Sequence, residues 1–146
     1  GKRYSSLDEL ASIVWPDEFG SKNERSDFKV LYIEDNPASI ELVSSILFRQ
    51  NVKILHAPDA KLGIELAIVH QPDLILMDIN LPGMNGYKAL KVIRADSVLN
   101  ATPVIALSAD GLEIDIEKGL SADFTDYISK PIQVLPFLKK VNQYIS

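Results

Sequence analysis

The chain has no cysteine, which excludes disulfides, thiolate metal sites and a cysteine nucleophile. Histidine is nearly as scarce. His56 and His70 are the only two, too few for a histidine-rich metal site, and no Ser-His-Asp arrangement suggests itself. No uninterrupted apolar stretch is long enough to span a bilayer, and the N-terminus lacks the apolar core of a signal peptide. Positive charge is in deficit. Fifteen Lys and Arg stand against 20 Asp and Glu, leaving a net charge of −5. That argues against a phosphate-seeking basic surface and so against direct nucleic-acid binding. What is present is apolar: 47% of 146 residues, enough for one domain with a real core and too much for a disordered chain. The default expectation is a cytoplasmic soluble domain.

Two parts are expected. Residues 1–27 read as an arm and residues 28–146 as a compact repeat of strand then helix. The arm opens with a capping box, Ser6-x-x-Glu9. Leu7, Leu10, Ala11 and Val14 follow at helical spacing until Trp15-Pro16 ends the pattern. A helix of about ten residues is too short to stand alone, so this stripe has to dock, on its own domain or on a partner. Residues 20–27 are polar and read as a linker.

In the compact part, strands are expected at 29–33, 53–56, 74–78, 104–108 and 126–129. Helices are expected at 37–49, 59–70, 86–95, 112–120 and 134–144. Asn36-Pro37 places a cap before proline at a first helical position, and Pro58-Asp59 marks another start. The third and fourth strands are almost wholly apolar, as when helices cover both faces of a parallel sheet. Five such units give an α/β fold: a doubly wound, flavodoxin-like parallel sheet of order 2-1-3-4-5.

The strand ends carry the chemistry. Val30-Leu-Tyr-Ile33 runs into Glu34-Asp35, and the run Asp73-Leu-Ile-Leu-Met-Asp78 ends in an acid. The fourth strand ends at Ser108, and the fifth leads into Lys130-Pro131. Order 2-1-3-4-5 makes the first and third strands neighbours, so Glu34, Asp35 and Asp78 converge where ligands gather in such sheets. Close carboxylates repel one another and need a cation. A hard divalent ion such as Mg²⁺ suits them, and Lys130 adds a fixed positive charge. The same parts suit phosphoryl transfer. A carboxylate can attack phosphorus, while metal, lysine and the Ser108 hydroxyl stabilise the phosphoryl oxygens. A nucleotide or flavin binder would want a Gly-rich loop after the first strand, where acids sit instead.

The ordered set Glu34-Asp35, Asp78, Ser108 and Lys130-Pro131, with Asp35-Asn36-Pro37 and Leu81-Pro82-Gly83-Met84-Asn85-Gly86, resembles the receiver domain of two-component response regulators. The resemblance covers residues 29 to about 145. It implies that Asp78 is a phosphoacceptor, charged from a phosphohistidine on a histidine kinase or histidine phosphotransfer protein. It further implies that Asp35 holds Mg²⁺ directly, Glu34 partly through water, and Asn80 through its backbone carbonyl. Lys130 would pair with phosphoryl oxygens. Ser108 would move to the phosphoryl group and Tyr127 turn inward behind it, repacking the face of fourth helix, fifth strand and fifth helix for a downstream target or a homodimer. Asn80 and Asp110 would tune the lifetime of the acyl phosphate. Such a domain assists its own phosphorylation and dephosphorylation but is otherwise no enzyme. Of a stand-alone receiver and the C-terminal receiver of a hybrid histidine kinase, the phrase Met77-Asp-Ile-Asn-Leu-Pro-Gly-Met-Asn-Gly86, with Ile105-Ala-Leu-Ser-Ala109, resembles the second more. Two positions depart from the common pattern: Asp123 stands where many relatives carry glycine, and Ser108 where many carry threonine.

Plainer readings exist for each residue. Asp78 alone reads as a capping or turn acid, Ser108 as a cap, Tyr127 as a half-buried strand aromatic and Lys130 as a surface lysine. His56 is expected at the end of a strand and His70 at the end of a helix, in capping or surface roles. Glu113, Asp115 and Glu117 complement a helix start or face a partner. Two rival functions are a phosphate-independent pseudo-receiver and a hydrolase with an aspartate nucleophile. The second rival wants another acid two residues on, where Asn80 stands.

Overall fold

The computed structural model describes residues 28–81, 83–108 and 124–145. The arm, Asp110, the expected helix at 112–120 and Asp123 lie outside these. Five strands and four helices lie among the described residues. They are β1 (Lys29–Ile33), α1 (Pro37–Phe48), β2 (Lys53–Ala57), α2 (Ala60–His70) and β3 (Leu74–Asp78), then α3 (Gly86–Ala95), β4 (Val104–Ser108), β5 (Asp126–Ser129) and α4 (Val134–Asn142). The sheet is wholly parallel, in order β2-β1-β3-β4-β5. The flavodoxin-like architecture expected from the alternation of apolar runs is the one observed.

Strand residues alternate between two core layers, as the pleat requires. Leu31, Ile33, Ile75 and Met77 point toward α2 and α3, where they meet Leu66, Leu90 and Ile93. Val30, Tyr32, Leu74 and Leu76 point toward α1 and α4, among Val43, Leu47, Phe137 and Val141. β3 and β4 are buried at all ten positions, which explains their unbroken apolar sequence.

Helix starts follow the capping rules. Asn36 Oδ1 accepts from the Ser39 amide at 3.1 Å, Asp59 Oδ1 from Leu62 at 2.8 Å and Asn85 Oδ1 from Lys88 at 3.0 Å. Asp59 is thus the cap of α2 rather than its first residue. Pro136 sits in the first turn of α4, where a missing N–H removes no helical bond. The last turns of α1 and α4 tighten to i→i−3 bonds: Arg49 to Ile46, Gln143 to Lys140 and Tyr144 to Val141. The regular helices therefore end one and two residues before the expected 49 and 144. Arg94 stitches the base of the sheet's far side. Its Nη1 donates to the Thr102 carbonyl at 2.7 Å, and its Nη2 reaches Thr125 Oγ1, which also accepts from the Val104 amide.

One glycine governs the approach of α3 to the site. A Cβ on Gly86 would lie 2.9 Å from Ile79 Cα and 3.1 Å from the Asp78 carbonyl oxygen, both backbone. The Gly86 amide donates to the Ile79 carbonyl at 2.8 Å across the same gap. Gly86→Ala must therefore push α3 off the end of β3. It is expected to destabilise the fold by about 1–3 kcal/mol, read as a lower urea midpoint at unchanged m-value, with amide shifts concentrated at Asp78–Asn80.

Candidate functional site

Each sheet ladder delivers one group to the C-terminal edge. The β1–β2 ladder extends one bond past β1, from the Glu34 amide to the Ala57 carbonyl at 3.0 Å, and so fixes Glu34. Asp78 is the last residue of β3 and stands opposite Leu107 of β4. The Ile79 amide donates to the Leu107 carbonyl at 3.0 Å and continues that ladder. Ser108 ends β4 opposite Ser129, and the Lys130 amide donates to the Ser108 carbonyl at 2.8 Å. Lys130 is therefore aimed by sheet bonds, and the Lys130–Pro131 peptide is cis.

The side chains meet around the lysine. Lys130 Nζ lies 2.7 Å from Glu34 Oε1 and 3.2 Å from Asp78 Oδ2. Glu34 is fully buried, Asp78 and Ser108 nearly so, and Asp35 is exposed at the mouth. One carboxylate oxygen from each of Glu34, Asp35 and Asp78 falls within a 4.8 Å cluster. The remaining lone pairs are partly committed. Glu34 Oε2 accepts from the Asn36 amide at 3.2 Å, and Asp78 Oδ1 accepts from the Asn80 amide at 3.1 Å. Asn80 itself is exposed beside the acids.

Electrostatics follow from burial. Desolvation pushes the Glu34 carboxyl up; Lys130 opposes this, and the nearby Asp78 carboxylate adds to it. Burial disfavours the charge on Lys130, but its pairing with Glu34 and Asp78 outweighs that and raises its pKa. The donor set is all oxygen and tightly clustered. It fits a hard divalent cation, for which carboxylates and a backbone carbonyl are ordinary ligands.

Several neighbours were not singled out in the sequence. Tyr32 is fully buried beneath the acids, and its hydroxyl donates to Glu34 Oε1 at 3.1 Å. Burial, then the Glu34 charge, push its phenol far up, so it stays a donor. Its position two residues before Glu34 puts both side chains on one face of β1, and that spacing was the available signal. His56 corrects the expectation of a capping or surface role. It lies within β2, half-buried, with Nε2 2.9 Å from the Glu34 carbonyl oxygen. A carbonyl only accepts, so Nε2 carries the proton in this contact. His70 ends α2 as expected, and its carbonyl accepts from Lys29 Nζ at 3.0 Å. Tyr127 is half-buried on β5 and packs against the core layer that contains Phe124 and Ala106. It also lines a cleft of about 370 Å³ with Lys130, Pro136, Phe137 and Lys140.

Comparison with known proteins agrees with this geometry. The profile of the response regulator receiver domain matches residues 30–142. The chain belongs to the receiver domain family. Among curated proteins, the receiver resembles Protein PilH of Pseudomonas aeruginosa, at 30% identity over 118 residues, or 81% of this chain and 98% of that one. It also resembles the polar-differentiation response regulator DivK of Brucella anthropi, at 33% over 116 residues, or 80% and 94%. Among solved structures it is similar to the receiver domain of sensor histidine kinase PA1611 of Pseudomonas aeruginosa, which has a magnesium ion in its active site cleft. The identity there is 31%, the TM-score 0.74, and the coverage 80% of this chain and 96% of that one. The chemotaxis protein CheY4 of Vibrio cholerae aligns at 25% identity with a TM-score of 0.75, covering 80% and 97%. The receiver is a signalling domain of two-component systems, a family that works with histidine kinases and downstream effectors. A phosphate-independent pseudo-receiver is not favoured. No helix among the described residues is long and apolar enough to cross a membrane.

Two predictions concern the lining of the site. Tyr32→Phe removes the buried donor to Glu34 and is expected to cost about 1–2 kcal/mol in urea denaturation, with the fold retained. His56 makes stability depend on pH. Burial lowers its pKa below 6.5 in the fold, while the Glu34 carbonyl bond opposes that. The unfolded chain thus takes up the proton first. Its contribution is complete above the unfolded value and is lost as pH falls from about 6.5 through the lower folded value, with a slope of at most about 1.4 kcal/mol per pH unit. His56→Gln is expected to flatten the stability curve between roughly pH 7 and 5, measured by urea midpoints.

Proposed function

We propose that residues 28–146 form a phosphoacceptor receiver in which Asp78 takes a phosphoryl group from a phosphohistidine on a histidine kinase or histidine phosphotransfer protein in the cytoplasm. Residues 1–27 are its N-terminal arm. The observation that carries this reading is the bridge from Lys130 Nζ to Glu34 Oε1 and Asp78 Oδ2 at the sheet's C-terminal edge. It puts a nearly buried carboxylate next to a cation whose charge suits an incoming anion.

In the transfer, one Asp78 carboxylate oxygen forms a bond to phosphorus. The bond from phosphorus to the donor's imidazole nitrogen breaks, and its electron pair returns to the ring. Glu34, Asp35, Asp78 and the Asn80 backbone carbonyl would hold Mg²⁺, in keeping with the magnesium in the PA1611 receiver. When bound, that ion neutralises charge on the phosphoryl oxygens. Lys130 leaves the carboxylates to pair with a phosphoryl oxygen. The Ser108 hydroxyl donates to another, since the two ladder bonds at Leu107 and Ser108 put that residue beside the acid and the lysine. Tyr127 then packs more deeply, because it is already half-buried on the strand that carries Lys130. The altered face of β5 and α4 meets a downstream target or a second receiver. The switch is a two-state element biased by a local change of charge. The chain's own catalysis is confined to gaining and losing this phosphoryl group. The second acid needed by an aspartate-nucleophile hydrolase is absent, with Asn80 two residues after Asp78.

Intact mass after incubation with Mg²⁺ and acetyl phosphate tests the assignment. One phosphoryl adduct is expected on the natural sequence. None is expected on Asp78→Asn or without metal. An adduct that survives Asp78→Asn would move the acceptor elsewhere.

A further inference from the structure

We propose that the arm's segment 6–15 docks in the groove between α1 and α4 of its own receiver. The groove encloses about 400 Å³ and is lined by Leu42, Ile46, Val134 and Leu138, with Ser45, Arg49 and Gln50 at its side. Leu42 is 38% exposed and Val134 45% exposed, so an apolar seam faces water where two helices meet. The arm has the complementary need. Leu7, Leu10, Ala11 and Val14 make one stripe on a segment too short to hold a helix unaided.

Continuity places the arm on the correct side. The described chain enters at Phe28, whose carbonyl accepts from the Lys53 amide at 2.8 Å. Its ring packs against the core layer that α1 and α4 cover, the layer containing Ile46 of the groove. The twelve residues 16–27 between stripe and entry reach about 40 Å when extended, roughly twice the ~18 Å length of α1. Every part of the groove is within that tether. A tethered occupant also meets the groove at high effective concentration, which favours it over a separate partner of equal affinity.

Charge agrees. Arg49 is the ionisable residue lining the groove. The segment 6–18 carries Asp8, Glu9, Asp17 and Glu18 and no basic residue. Glu18 or Asp8 can therefore face a cation at the groove's rim while the stripe covers the seam. Such an exposed pair sets orientation more than affinity.

The test uses the whole chain. With no native cysteine, Ser12→Cys takes a single nitroxide on the arm, off the stripe. The methyl signals of Leu42, Ile46, Val134 and Leu138 are expected to be lost through paramagnetic broadening and to return on reducing the label. Adding Leu10→Asp to the labelled chain is expected to restore them without reduction, with the domain's other signals unchanged. Unaffected groove methyls, or a loss that survives Leu10→Asp, would overturn the proposal. So would an equal loss when the nitroxide sits on an isotopically silent copy mixed with isotope-labelled protein that carries no nitroxide, since a second copy would then be the occupant.

Discussion

The structure turns on one cation held between two buried acids. Glu34 is fully inside the protein, Asp78 almost so, and Lys130 reaches both. Two carboxylates in that setting would repel one another and lose their hydration. The lysine makes the pair tolerable, and Tyr32, Asn36 and Asn80 satisfy further lone pairs. Under the proposed function, a doubly charged metal would compete with the lysine for the same oxygens, and a phosphoryl group would offer the lysine another partner. β5 is the strand that leads into Lys130, so the proposed exchange of counter-ions would act on that strand first.

The sheet makes this convergence inevitable once the strand order is set. Order 2-1-3-4-5 brings the ends of β1 and β3 together at the switch point. Backbone bonds one residue beyond β1, β3 and β5 then fix Glu34, Ile79 and Lys130. Precision comes from the ladder and not from flexible loops. Gly86 serves the same end from the opposite side, since any side chain there would strike the backbone immediately after Asp78.

Most of this was legible in the sequence because the parallel sheet writes itself as apolar runs. The runs ending at Ile33, Asp78 and Ser108 gave both the strands and the groups at their tips. Capping residues marked helix starts, though the boundaries slipped where ends tighten, at Phe48 and Asn142. Tyr32 escaped notice because a strand aromatic usually means core, and its hydroxyl matters only once Glu34 is known to be buried above it. The end of β2 fell one residue beyond the expected 56 because Ile33 pairs with Ala57, a long-range effect invisible locally. Gly86 looked like an ordinary helix start. Its role lies in a close backbone approach that no spacing rule encodes. The family resemblance rested on the same strand-end residues and agrees with the profile match over residues 30–142.

In the proposed mechanism, Lys130 and a divalent cation compete for the carboxylates of Glu34 and Asp78. Calorimetric titration of Mg²⁺ into the natural chain and into Lys130→Met tests it directly. Removing the competing charge is predicted to tighten Mg²⁺ binding by about tenfold, or roughly 1.4 kcal/mol, even though phosphoryl transfer is impaired. Unchanged or weaker binding in Lys130→Met would rule out this competition and show that the lysine helps to build the metal site instead.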